Sequence, residues 1–132
     1  MRGLRAHLTG LFPDPPESRS SLQRWELALV VVALLVIGTV LGLTRIGWSA
    51  SLNTIWAEDG PIYMQGALTQ GFFDAVFEPY AGYLVLGPRL IAELATLVPL
   101  EYAPAAVSIL SALVATLSGL IVWVASGGQI RD

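Results

Sequence analysis

Two long apolar segments dominate the pattern of hydrophobic and polar positions and predict two membrane-spanning helices. Residues 27–43 and 103–125 contain no charged residue. The shorter segment, as a helix, covers about 25 Å, which is close to the hydrocarbon thickness of a bilayer. With its flanking residues, the first transmembrane helix is assigned to 25–45, and the second to 103–125. The predicted fold class is an all-α membrane protein.

The connection between these segments, residues 46–102, is too apolar for a simple linker. Residues 61–77 place apolar side chains at helical spacing, and residues 84–98 have a wide apolar face. Arg89 and Glu93 are spaced to pair at i, i+4. Because two charges inside a crossing are costly, we predict one or two amphipathic juxtamembrane helices here rather than a third crossing.

Basic residues predict the orientation of the chain in the membrane. Four Arg precede the first transmembrane helix and Arg131 follows the second, whereas residues 44–102 hold two Arg and six acidic residues. Cytoplasmic segments are the ones enriched in Arg and Lys. The tails 1–24 and 126–132 are therefore predicted to be cytoplasmic and the connection external, in a multi-pass protein of the cell membrane.

A cleaved signal peptide is the alternative for the first apolar segment. The 26 residues before that segment form a longer leader than a signal peptide has, and they contain acidic residues. The apolar run also exceeds a typical signal core of about 7–15 residues. A retained membrane anchor is the interpretation we favour.

Composition agrees with membrane insertion and excludes several kinds of chemistry. Hydrophobic residues make up 55% of the chain, charged residues 13%, and the mean hydropathy is +0.66. The chain has no Cys and a single His7 in its polar tail, which excludes disulfides, thiol catalysis and cysteine-ligated zinc. It has no Lys, so the common phosphate-binding loop is absent. A net charge of −3 disfavours nucleic acid as a partner, and the lipid bilayer is the expected one.

Small residues recur at helical spacing on both predicted crossings. Gly38 and Gly42 form a G-x-x-x-G pattern, and Ser108, Ala112 and Thr116 form a second small stripe. Such stripes let a neighbouring helix approach closely. They support the alternative interpretation, in which the chain is a non-enzymatic two-helix membrane protein that acts through helix-helix association.

Two adjacent carboxylates, Glu58 and Asp59, interrupt the apolar sequence in TIWAEDGPIYMQG, residues 54–66. Adjacent like charges raise the proton affinity of a carboxylate, which favours a role in proton transfer. Asp59 followed by Gly60-Pro61 also suits a helix start, so capping is the alternative.

The stretches WAEDGPIYMQGAL, residues 56–68, and EPYAGYLVLGPRL, residues 78–90, resemble multi-pass bacterial membrane glycosyltransferases of the GT-C superfamily. The resemblance extends over residues 25–125, which correspond to the opening portion of such an enzyme. It implies transfer of a sugar from a polyprenyl-phosphate donor to an acceptor hydroxyl. Because GT-C enzymes have many more crossings, we expect the chain to be an incomplete member that is inactive alone.

The resemblance also implies roles for three residues. Asp59 or Glu58 would be the catalytic base that takes the acceptor proton, or one of them would hold a divalent cation near the donor phosphate. Arg89 would contact that phosphate through its planar guanidinium, with a pair to Glu93 as the alternative.

Overall fold

Residues 23–126 are described in the computed structural model, and they are almost entirely helical. Six α-helices follow one another: α1 Arg24–Thr44, α2 Trp48–Asn53, α3 Gln65–Thr69, α4 Phe72–Phe77, α5 Leu86–Ala95 and α6 Ala103–Ala125. A 3₁₀ turn, Ala57–Asp59, and a π-helical turn, Gly60–Met64, connect α2 to α3, and a second 3₁₀ turn, Leu100–Tyr102, precedes α6. No strand occurs within this part of the chain, and the predicted all-α class is confirmed for it.

α1 and α6 have the length and composition to cross a membrane. The apolar helical segments run over Trp25–Thr44 and Leu100–Ala125, with 20 and 26 residues. Only 6% of each apolar window is buried, unlike the core helix of a water-soluble domain. α5 has 10 residues and a length of about 15 Å, too short for a crossing. The structure therefore confirms two helices that are long and apolar enough to cross a membrane.

α1 and α6 pack directly against each other through their small residues. A Cβ at Gly38 would collide with the methyl group of Thr116, and a Cβ at Gly42 would lie 3.0 Å from the Cβ of Ala112. Along these contacts the residue numbers rise on α1 and fall on α6, so the two helices are antiparallel. The small-residue stripes of α1 and α6 therefore pack against each other within one chain.

The connection departs from the regular helix predicted over residues 61–77. The π-helical turn covers its first residues, and the backbone becomes extended at Gln70 and Gly71 before α4 begins. The chain thereby folds back on itself and encloses a small core with α5 and the first turns of α6. That core contains Tyr63, Met64, Ala92, Ala95, Ala103 and Val107.

α2 is joined to the end of α1 by a buried hydroxyl group. Ser51 is 3% exposed, and its Oγ donates a hydrogen bond of 2.6 Å to the carbonyl oxygen of Leu43. The last carbonyls of a helix have no partner within the helix, so this bond satisfies one of them. It also sets the direction in which the chain leaves α1 towards the acidic pair.

Ser51→Ala is expected to lower the free energy of unfolding by about 1 kcal/mol, because a buried carbonyl loses its donor. Ser49→Ala makes the same change at an exposed position of α2 and is expected to have no effect. Reversible denaturation in detergent micelles measures both. Equal stability of the two variants would show that the buried hydrogen bond does not stabilise the fold.

Candidate functional site

The acidic pair lies on the 3₁₀ turn that follows α2. Asp59 is half-buried and Glu58 is exposed. The turn begins at Ala57 with φ +47°, a left-handed conformation that costs a residue with a Cβ roughly 1–2 kcal/mol. Backbone strain of this kind persists only where the surrounding structure imposes it, and it is common at functional sites.

Capping does not explain Asp59. Its backbone is already helical, with φ −59° and ψ −34°, and its side chain makes no capping hydrogen bond. The 3₁₀ turn continues directly into the π-helical turn, so no free helix N-terminus exists there. Pro61 does occupy the first turn, as expected, but the predicted capping role of Asp59 is wrong.

Asp59 lines a cavity of about 360 Å³ where the chain passes from α1 through α2 to the acidic pair and meets α6. The size suits a small organic ligand or its headgroup. Polar and aromatic residues in the wall are Arg45, Ser51, Thr54, Trp56, Asp59, Ser108 and Ser111, and much of the remainder is apolar, including Gly42, Leu43, Val107 and Ala112. Glu58 is outside this lining, so the structure distinguishes the two carboxylates.

The surroundings of Asp59 make ionisation of its carboxyl less favourable than in water. Burial raises the pKa of the Asp59 carboxyl, and the negative charge of Glu58 raises that pKa further. Burial removes water that would solvate the charged Asp59 carboxylate, and the negative charge of Glu58 repels it. A carboxylate of raised pKa is a stronger base, which is the property that proton abstraction requires.

Arg89 lies outside the cavity wall and is engaged elsewhere. Its side chain is 2% exposed, and Nη1 donates a 2.7 Å hydrogen bond to the Ala75 carbonyl. Nη1 also lies 3.2 Å from Oε2 of Glu78, and the guanidinium carbon lies 5.4 Å from the centre of the Tyr63 ring. The predicted pair with Glu93 is wrong: Arg89 pairs with Glu78 instead, and Oε1 of Glu93 is buried without a hydrogen-bond partner. A phosphate-binding role of Arg89 stays a prediction.

Arg45 is the cation that the structure places in the cavity wall, and the sequence analysis did not single it out. The available signal was its position: it follows the first apolar segment on the acidic, predicted external side. Ser108 was assigned only to a small-residue stripe, and Trp56 was given no role. Trp56 is 71% exposed and contributes to the cavity wall.

Metal binding would depend on the acidic pair. Within residues 23–126, no group of three or more His, Cys, Asp or Glu side chains is arranged to hold a metal ion. Mg²⁺ that arrives with a phosphate substrate needs only one or two carboxylates from the protein. The divalent cation therefore stays a prediction.

No family model, curated protein or solved structure matches the chain. The GT-C likeness remains a resemblance carried by residues 56–68 and 78–90. A functional proposal therefore rests on the residues of the cavity wall, above all Asp59 and Arg45.

Proposed function

We propose that the chain is the N-terminal part of a membrane glycosyltransferase that moves a sugar from a polyprenyl-phosphate donor to an acceptor hydroxyl. The observation that carries the proposal is the half-buried Asp59 carboxyl, with its raised pKa, in the wall of a cavity between two helices of spanning length. The GT-C resemblance supports the same chemistry. As that resemblance implies, further crossings complete the enzyme.

In this proposal α1 and α6 cross the cell membrane, both termini are cytoplasmic, and the cavity lies at the external surface. α5 supports a position of the connection along the membrane surface, because it turns Arg89 and Ala92 inwards and exposes a stripe of leucines. That stripe consists of Leu86, Leu90 and Leu94, and the neighbouring α4 exposes Phe72, Phe73 and Phe77. Apolar and aromatic side chains of this kind suit the boundary between lipid tails and headgroups.

Asp59 is the base in the proposed reaction. Its carboxylate takes the proton of the acceptor hydroxyl while the acceptor oxygen bonds to the anomeric carbon of the sugar. The bond from that carbon to the donor phosphate breaks, and the phosphate oxygen keeps the electron pair. Arg45, in the same wall, stabilises the negative charge that develops on the phosphate. Glu58 contributes from outside the wall by raising the proton affinity of Asp59.

Gene deletion and complementation test the activity itself. Membranes from cells that lack the gene are supplied with radiolabelled polyprenyl-phosphate hexoses, with and without a restored wild-type copy. Transfer of label from lipid to acceptor is expected only where the gene is restored. Equal transfer in both membranes, for every donor offered, would exclude the proposed function.

The rate of transfer is expected to rise with pH through the pKa of Asp59. The carboxylate is the active form of the base and is lost as pH falls below that pKa. Because burial and Glu58 both raise the pKa, the rise occurs above the ordinary value of 3.8. Initial rates at saturating donor measure this profile. Glu58→Gln removes the charge effect and is expected to move the rise to lower pH, whereas an unmoved profile would contradict the assignment.

A further inference from the structure

From α5, Arg89 contacts three separate segments of the chain between α1 and α6. It donates to the carbonyl of Ala75 in α4, pairs with Glu78 just after α4, and lies over the ring of Tyr63. The guanidinium is almost fully buried by these partners. The observed contacts of Arg89 therefore join parts of the fold to one another.

Tyr63 is the Arg89 partner that lies next to the acidic pair along the chain. It lies in the π-helical turn that continues directly from Asp59, with three residues between the two. Its ring is held on a second side by Tyr80, edge-on at 5.9 Å between ring centres. Tyr80 is itself fixed by two backbone hydrogen bonds with Tyr83, of 2.9 and 3.1 Å. The side chain of Tyr63, which is 7% exposed, thus has little freedom to move.

The backbone after the turn also packs against the ion pair. A Cβ at Gly66 would lie 3.6 Å from Nη1 of Arg89 and 4.0 Å from Oε2 of Glu78. The buried guanidinium therefore contacts the turn through the Tyr63 ring and approaches the backbone at Gly66. π-helical turns are rare and are frequently found at functional sites.

We propose that Arg89 is a positioning residue that acts through Tyr63 and holds the turn that places Asp59 in the cavity wall. The catalytic consequence rests on the proposed function. The placement of Asp59 does not, and it can be measured without any sugar.

Carboxyl ¹³C NMR of the chain in lipid nanodiscs, with labelled aspartate, tests the placement. Asp59→Asn identifies the Asp59 signal by its disappearance. In Arg89→Met, the titration midpoint of Asp59 is expected to fall towards the ordinary aspartate value, because a loosened turn admits water to the carboxyl. Loss of a nearby positive charge would by itself raise that midpoint. A rise, or no change, would therefore overturn the proposal.

A second pair of variants keeps Arg89 intact and guards against misfolding of Arg89→Met. Tyr63→Leu removes the ring and is expected to lower the midpoint of Asp59 in the same direction. Tyr63→Phe keeps the ring and is expected to leave the midpoint unchanged. If Tyr63→Leu also left the midpoint of Asp59 unchanged, the proposed link through the ring would be refuted.

Sugar transfer provides the second readout. A small displacement of a catalytic group can reduce turnover on the order of 100-fold, and we expect a loss of that size in Arg89→Met. A lowered Asp59 midpoint without sugar transfer in any wild-type membrane would defeat the proposed function and leave the positioning role. Sugar transfer by the wild type with an unchanged Asp59 midpoint in the variants would support the proposed function and defeat the positioning role.

Discussion

Asp59→Asn is expected to reduce sugar transfer by about 10²–10⁴-fold, the usual contribution of a general base. The amide has nearly the shape of the carboxyl group but cannot accept the proton of the acceptor hydroxyl. The variant should fold, because the Asp59 side chain makes no capping hydrogen bond. Because the chain is proposed to be part of a larger enzyme, the substitution is made in the full-length protein. Initial rates in membranes that contain equal amounts of wild type and variant measure the loss.

Asp74→Asn is the matched control for this variant. It makes the same chemical change on an exposed residue of α4, outside the cavity wall, and is expected to retain wild-type transfer. Undiminished transfer by Asp59→Asn would exclude the base role. An equal loss in both variants would show that the charge of the connection matters and the position of Asp59 does not.

Gly38→Leu is expected to separate α1 from α6 and to disrupt the cavity between them. A side chain at this position collides with Thr116, and overpacking of this kind destabilises a close contact by about 1–3 kcal/mol or more. Spin labels on cysteines introduced at Leu29 and Val122, both exposed, report the distance between the helices. Because the chain has no native Cys, the labels are specific. The distance distribution should become longer and broader.

Gly119→Leu controls for the added bulk. Gly119 lies on α6, and a Cβ there would meet nothing within 4 Å. The distance between labels is expected to remain as in the wild type. If Gly38→Leu also left that distance unchanged, the antiparallel packing of α1 on α6 would be contradicted.

The two long helices were predictable because their pattern is local. An uninterrupted apolar run in lipid must satisfy its own backbone hydrogen bonds, so it specifies a helix whatever surrounds it. The break at Gln70 and Gly71 was not predictable from spacing, since apolar periodicity continues across it. There the folding back of α4 onto α5 determines the backbone.

The partner of Arg89 shows the limit of local rules. Spacing along one helix points to Glu93, but a long side chain pairs with whichever carboxylate the fold brings near. The reversal after α4 brings Glu78 and the Ala75 carbonyl to the guanidinium. This arrangement depends on contacts across the connection, which sequence spacing does not express.

The candidate site was predictable in part. The adjacent carboxylates were identified from sequence, but only their burial separates Asp59 in the cavity wall from Glu58 outside it. Arg45 and Ser108 are far apart in sequence and meet in one wall because α1 and α6 are antiparallel. Residue type alone does not predict such a meeting.

The alternative function, association of a two-helix protein with a separate helix partner, stays a prediction. The motifs that carried it now have partners within the chain: Gly38 meets Thr116, and Gly42 meets Ala112. A separate helix would have to use other faces of α1 and α6. The enzymatic proposal does not depend on those faces.

Photocrosslinking tests the central claim most directly, because it locates the donor on the protein. A polyprenyl-phosphate sugar with a diazirine on the sugar ring is activated in membranes that contain the wild-type protein, and labelled peptides are mapped. We expect labelling within residues 42–59 and 107–115, which contribute the cavity wall, and we expect unlabelled donor to reduce it. Labelling confined to the outer faces of α1 and α6, or labelling that unlabelled donor does not reduce, would contradict the central claim.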